Sequence, residues 1–147
     1  MVTALLELDF DVTVTTGSDE VGSQLRALDQ NRVHVCRWVE LGPLVRRCDL
    51  VVCHGGAGTV LAALAAGVPL LLLPRGAPSQ ARMSAACEAR GVGRAVRWDA
   101  GDRGALHDAL SEVAASDRIR AAAAAVAAEI GAMPDASTVV PVLAGVT

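Results

Sequence analysis

Short apolar, β-branched runs alternate along this chain with alanine- and leucine-rich stretches, and glycine or proline marks many of the changes. Such alternation points to a parallel sheet, because parallel neighbours need a crossover helix rather than a hairpin between them. It predicts strands over Asp11–Thr16, Val33–Val39, Leu50–Cys53, Leu70–Leu73 and Gly93–Trp98. Helices are predicted over Gly58–Ala66, Gln80–Arg90, Ala105–Ala115 and Asp117–Ile130, with Gly67, Gly91 and Gly131 closing three of them. Leu106, Leu110 and Val113 fall on one face of the third. The charged stretch from Asp99 to Arg103 is expected to be a loop. From Pro134 onward, Val139, Val140, Val142 and Leu143 predict a short docked helix or tail.

With 147 residues and no internal repeat or linker, the chain is expected to be one α/β domain over 1–147. Hydrophobic residues make up 52% and charged residues 20%, which suits a globule with a buried core. The only aromatics are Phe10, Trp38 and Trp98, so that core is built from Ala, Val and Leu. A net charge of -3 with so few stacking side chains argues against nucleic acid as a partner. The longest apolar run, Val60–Leu73, is interrupted by Gly67 and Pro69 and is too short to cross a bilayer. Glu7, Asp9 and Asp11 break up the N-terminus, which has no signal-peptide pattern, so a cytoplasmic location is expected. Cys36, Cys48, Cys53 and Cys87 show no metal-ligand spacing and are expected to be free, mostly buried thiols.

The chemistry is concentrated in Cys53-His54-Gly55-Gly56-Ala57-Gly58-Thr59, between a buried strand and a helix. Glycines allow a sharp turn and a close approach by a ligand, and the helix that follows offers free N–H groups and its positive dipole end to a diphosphate. Thr59 adds a hydroxyl and His54 an imidazole N–H. No Lys follows Gly58, so the loop is not a Walker P-loop. A dinucleotide-binding module is a poor fit, because Leu61 stands where the third glycine belongs and no acidic residue ends a strand about 20 residues on. Trp38 is either a core residue or a wall of a base site. Arg75 either approaches a phosphate or is a solvated loop charge. His34 and His107 have no assigned role.

Arg37-Trp38-Val39, Leu44, Cys48-Asp49, Val51-Val52, the loop from His54 to Thr59, Ala63-Leu64, Gly67-Val68-Pro69 and Leu73-Pro74 together resemble the donor-binding signature of GT-B glycosyltransferases. The likeness is greatest to the bacterial enzymes that glycosylate macrolides, enediynes and aromatic polyketides, relatives of the UDP-glycosyltransferases. It continues through Cys87, Gly91, Gly93 and Val139-Val140-Pro141-Val142-Leu143. The resemblance implies a Rossmann-like parallel sheet with helices on both faces, the C-terminal domain of a GT-B enzyme. It assigns the donor diphosphate to His54, Gly55, Gly56, Gly58 and Thr59, the nucleotide base to Trp38 and Val39, and the sugar to Ser79 and Gln80. Ser79 stands where the family has Asp, Met83 where it often has Asn, and Glu40 where it has Pro, so the match is closer at the diphosphate than at the sugar.

The implied ligand is a UDP- or dTDP-linked sugar, with no metal and no further cofactor, and the acceptor is a small natural-product-like molecule. The catalytic base would belong to an N-terminal acceptor domain outside these residues, leaving no catalytic residue here. Met1–Leu6 resembles the domain's first helix without its first strand. That strand would lie centrally between the strands at Val12 and Leu50, which without it would expose unpaired backbone edges or, after a shift of the Met1 helix, pair directly. The alternative to a catalytic half is a non-catalytic donor-binding or stabilising subunit of a split enzyme, with an acceptor-domain chain as its partner.

Overall fold

The computed structural model describes residues 1–97 and 103–145. In chain order they form α1 (Val2–Glu7), β1 (Val12–Thr15), α2 (Asp19–Arg26), β2 (Val33–Cys36), α3 (Leu41–Val45), β3 (Val51–Cys53) and α4 (Ala57–Ala65). There follow β4 (Leu70–Leu72), α5 (Pro78–Ala89), β5 (Gly93–Ala95), α6 (Arg103–Ala115), α7 (Asp117–Gly131), a 3₁₀ turn (Ala136–Val139) and α8 (Val140–Ala144). Every ladder is parallel, with β1 paired to β2 in one sheet and the order β3-β4-β5 in another. Among the described residues no ladder joins β1 to β3, so the two do not pair directly.

β4 organises the larger sheet. Its three leucines are completely buried and point alternately to opposite faces. Leu71 and Leu73 pack with Val2 and Leu5 of α1 and with Leu106, Leu110 and Val113 of α6. Leu70 and Leu72 pack with Val60 and Ala63 of α4, Cys87 of α5 and Ala123 of α7. Helices therefore cover both faces, which is why this strand is a continuous apolar run rather than an alternating one. Each fully buried leucine contributes about 1.5–3 kcal/mol of transfer free energy. Alanines on α7 bring it close to the end of α4, where Gly67 turns at φ +71° and its α-carbon faces the backbone of Ala124. Gly91 ends α5 in the same left-handed conformation, at φ +68°.

Several boundaries differ from expectation. β2 stops at Cys36, whose carbonyl accepts the last ladder bond from the Thr16 N–H at 3.0 Å. β1 turns away at Gly17, so Arg37–Val39 have no strand to pair with, and Trp38 is 84% exposed. That excludes the core reading of Trp38. β5 ends at Ala95 because its partner runs into Pro74; Trp98 lies outside the described residues, as does 99–102 of the expected loop, while Arg103 already belongs to α6. Gly131 does not close α7 but forms its last residue, with Ala132 as the cap. The C-terminal segment is helical but not docked: α8 has no buried residue, and Val139, Val140, Val142 and Leu143 are all exposed. All four thiols are free, but only Cys87 is buried and the other three are half-buried.

Candidate functional site: the loop at the head of α4

β3 and β4 run parallel with Cys53 beside Leu72, so the loops after both strands leave the sheet at the same end. In such sheets ligands bind beyond the carboxyl ends of the strands. Three glycines shape the loop after β3, and each does something different. Gly55 is buried at φ +86°, and a Cβ there would lie 3.2 Å from both the Gln80 carbonyl and Ser84 Oγ. Helix α5 thus presses directly on the loop, and the tight spacing and the positive φ both favour glycine there. At Gly56 an added Cβ would meet His54 Nε2 at 2.7 Å, so the imidazole folds over the glycine that begins α4. A Cβ on Gly58 would meet nothing within 4 Å. The protein's own packing therefore does not require glycine at 58, and the space beside the first turn of α4 is open.

The head of α4 is uncapped. Gly56 is the N-cap and makes no side-chain cap bond, and the first intrahelical bond runs from the Val60 N–H to the Gly56 carbonyl at 3.1 Å. The N–H groups of Ala57, Gly58 and Thr59 are left without helical partners, at the end carrying about half a positive charge. His54 is exposed beside them and Thr59 half-buried. Burial pushes the Cys53 thiol above its ordinary pKa, partly offset by the Gly55 N–H, so this sulfur is a neutral packing group rather than a nucleophile.

The remaining residues expected at the site are distributed unevenly. Val39 and Thr59 line the same cavity between the two sheets, whereas Trp38 projects from the surface. Ser79 is exposed in the first turn of α5, and Gln80 Oε1 accepts a hydrogen bond from the Arg75 N–H at 2.8 Å. Gln80 therefore shapes the loop after β4. The Arg75 side chain is exposed and makes no ion pair among the described residues, the behaviour of a solvated loop charge. Sequence reasoning missed Ser84, whose buried hydroxyl has no partner among the described residues and faces Gly55. Its spacing of four from Gln80, which puts both on one face of α5, was the available signal. No cluster of three or more metal-ligating side chains occurs among the described residues, and none of their helices is long and apolar enough to cross a membrane.

Residues 1–146 match the model of the C-terminal domain of erythromycin biosynthesis protein CIII-like proteins. The chain belongs to this EryCIII-like C-terminal domain family. Curated relatives include the elloramycin glycosyltransferase ElmGT of Streptomyces olivaceus, 43% identical over 74 residues, which are 49% of this chain and 19% of the relative. Another is the aclacinomycin-T 2-deoxy-L-fucose transferase of Streptomyces galilaeus, 39% identical over 75 residues, or 50% of this chain and 16% of that one. Among solved structures, glycosyltransferase VinC in complex with dTDP superimposes at a TM-score of 0.84 with 28% identity, covering 97% of this chain and 35% of VinC. The spinosyn rhamnosyltransferase SpnG, complexed with thymidine diphosphate, gives 0.83 and 27%, covering 98% of this chain and 39% of SpnG. The chain thus covers about a fifth or less of those curated relatives and little more than a third of the solved chains.

Proposed function

We propose that this domain is the donor-binding half of a glycosyltransferase that moves a hexose from a UDP- or dTDP-linked sugar to a small natural-product-like acceptor, acting in the cytoplasm. The observation that carries this reading is the uncapped first turn of α4, with its free N–H groups, open space at Gly58 and the imidazole of His54 alongside. Kinship with glycosyltransferases, two of them solved with a thymidine nucleotide, supports it. The donor diphosphate sits against Ala57, Gly58 and Thr59, with Gly55 holding the turn and His54 donating an N–H to a phosphate oxygen. Val39 and Trp38 flank the base, and Ser79 and Gln80 approach the sugar.

Chemically, the domain meets the charge that builds on the departing diphosphate. Backbone N–H groups fixed in a helix need no reorganisation as that charge develops, which favours the transition state over the bound donor. The reaction is proposed to proceed by direct inversion without a metal. Activation of the acceptor hydroxyl requires a base outside this domain. Ligand-observed NMR with UDP, dTDP and NAD tests the binding half of the proposal: the two diphosphates transfer saturation and NAD does not. Pairing the domain with an acceptor domain then tests the catalytic half, where sugar transfer is expected. Binding of NAD in preference to UDP and dTDP would overturn the assignment.

A further inference from the structure

Ser84 is the one buried polar side chain among the described residues, 3% exposed on α5, and its hydroxyl bonds to none of them. A serine inside a helix usually faces solvent or bonds the carbonyl four residues back. Ser84 does neither. Its Oγ is turned to the loop after β3, 3.2 Å from where a Gly55 Cβ would stand. Alanine has nearly the same shape and would bury no polar atom, so the hydroxyl is unfavourable in the free domain. The loop offers a matching gap. Gly55 is buried, yet its carbonyl accepts no bond from another backbone group among the described residues, and the Gly56 N–H donates to none. These two groups belong to one peptide unit and point in opposite directions from it. The preceding unit is tethered, because the Gly55 N–H bonds to the Cys53 sulfur. The Gly55–Gly56 unit has a glycine on each side, so it can turn without carrying a Cβ into its neighbours.

We infer that Ser84 is a positioning residue for the donor diphosphate. With the diphosphate bound, its hydroxyl donates to the Gly55 carbonyl, and that bond keeps the Gly56 N–H turned toward a phosphate oxygen. The inference rests on the head of α4 being the diphosphate site. The phosphate draws the Gly56 N–H outward, and the same rotation carries the Gly55 carbonyl inward to α5. Without Ser84 the carbonyl would be left unpaired there, at a cost to binding. The Gln80 carbonyl faces Gly55 at the same 3.2 Å, but it is an acceptor and cannot take this role. One hydroxyl thus satisfies both itself and the loop, and it does so only in the bound state. A bond made in one state and absent from the other shifts the equilibrium toward the first. Its whole worth therefore appears as donor affinity, with nothing added to the stability of the free domain.

The test compares the 147-residue chain with its Ser84→Ala variant. Without ligand the variant should melt at the same temperature or higher, since a buried unpaired hydroxyl has been removed. Its dissociation constant for dTDP, measured by calorimetry, should rise roughly three- to tenfold, the loss of one uncharged hydrogen bond. Carbonyl ¹³C spectra carry a signature that a packing role would leave alone. Addition of dTDP should move the Gly55 carbonyl resonance downfield in the parent chain and not in the variant. A lower melting temperature for the ligand-free variant would overturn the inference, because the hydroxyl would then already be bonded without ligand. So would equal dTDP affinity in the two chains, or a Gly55 carbonyl shift that survives the substitution; either result would leave the diphosphate site itself standing. Failure of the parent chain to bind dTDP would remove the diphosphate reading, and this inference with it.

Discussion

At Gly56 the absent Cβ makes room for the His54 ring, and at Gly58 it leaves room for a ligand. Gly56→Val should push the imidazole off the head of α4 and put a branched side chain in the proposed phosphate position. Binding of UDP and dTDP, followed by calorimetry, should fall below detection while the circular dichroism of the domain is kept. His54→Ala is milder. Losing one hydrogen bond to a charged group costs about 1.5–3 kcal/mol, so donor affinity should drop by roughly ten- to a hundredfold. In an enzyme reconstituted with an acceptor domain, the pH optimum of that variant should not move. Loss of the low-pH limb of its pH–rate profile, where a general base takes up its proton, would instead identify His54 as a general base. Gly55→Ala acts on stability, because it forces a φ of +86° on a side chain wedged against Gln80 and Ser84. A penalty of about 1–3 kcal/mol in urea unfolding is expected.

Arg32 ties three elements together at the start of β2. Its guanidinium donates to Phe10 O at 2.8 Å and Leu6 O at 3.3 Å, holding the turn between α1 and β1 where Asp9 adopts φ +64°. Its ion pairs with the exposed Asp9 and Asp11 are solvated and add little. Arg32→Ala should therefore cost roughly 1–3 kcal/mol in urea unfolding through the lost carbonyl contacts, and Asp9→Asn plus Asp11→Asn far less. The strands and the longer helices α4–α7 were legible because Leu70–Leu72 and the alanine-rich helices carry periodicities set by burial on their own faces, whereas the short helices α2 and α3 were not anticipated. Strand ends were not, since they depend on how far the partner runs: Arg37–Val39 alternates like a strand but β1 has already turned away. The undocked tail was misjudged for the same reason, its apolar residues showing a face but not whether anything meets it. In the loop, the glycine pattern revealed the turn. The contact of α5 with Gly55 and the bond from Arg75 to Gln80 could not be read from the sequence, because tertiary packing brings those residues together.

For the molecule as a whole, alkaline pH is informative because the chain has 13 arginines, no lysine and no tyrosine. Burial raises the thiols of Cys48, Cys53 and Cys87 above their ordinary value of 9.0. The fold thus favours their neutral form, and that stabilisation is complete below about pH 9 and lost as pH rises through the raised values. Melting temperature should be insensitive to these groups up to that point and decline beyond it. Cys53→Ala with Cys87→Ala should flatten the decline, even at some cost to stability at neutral pH. The account as a whole rests on the head of α4 as a diphosphate site. Its most direct measurement is the change in backbone amide resonances when dTDP is added to the ¹⁵N-labelled domain. The account predicts the largest saturable shifts at Gly56, Ala57, Gly58 and Thr59, with the His54 ring moving in step; shifts confined to other residues, or none at all, would contradict it.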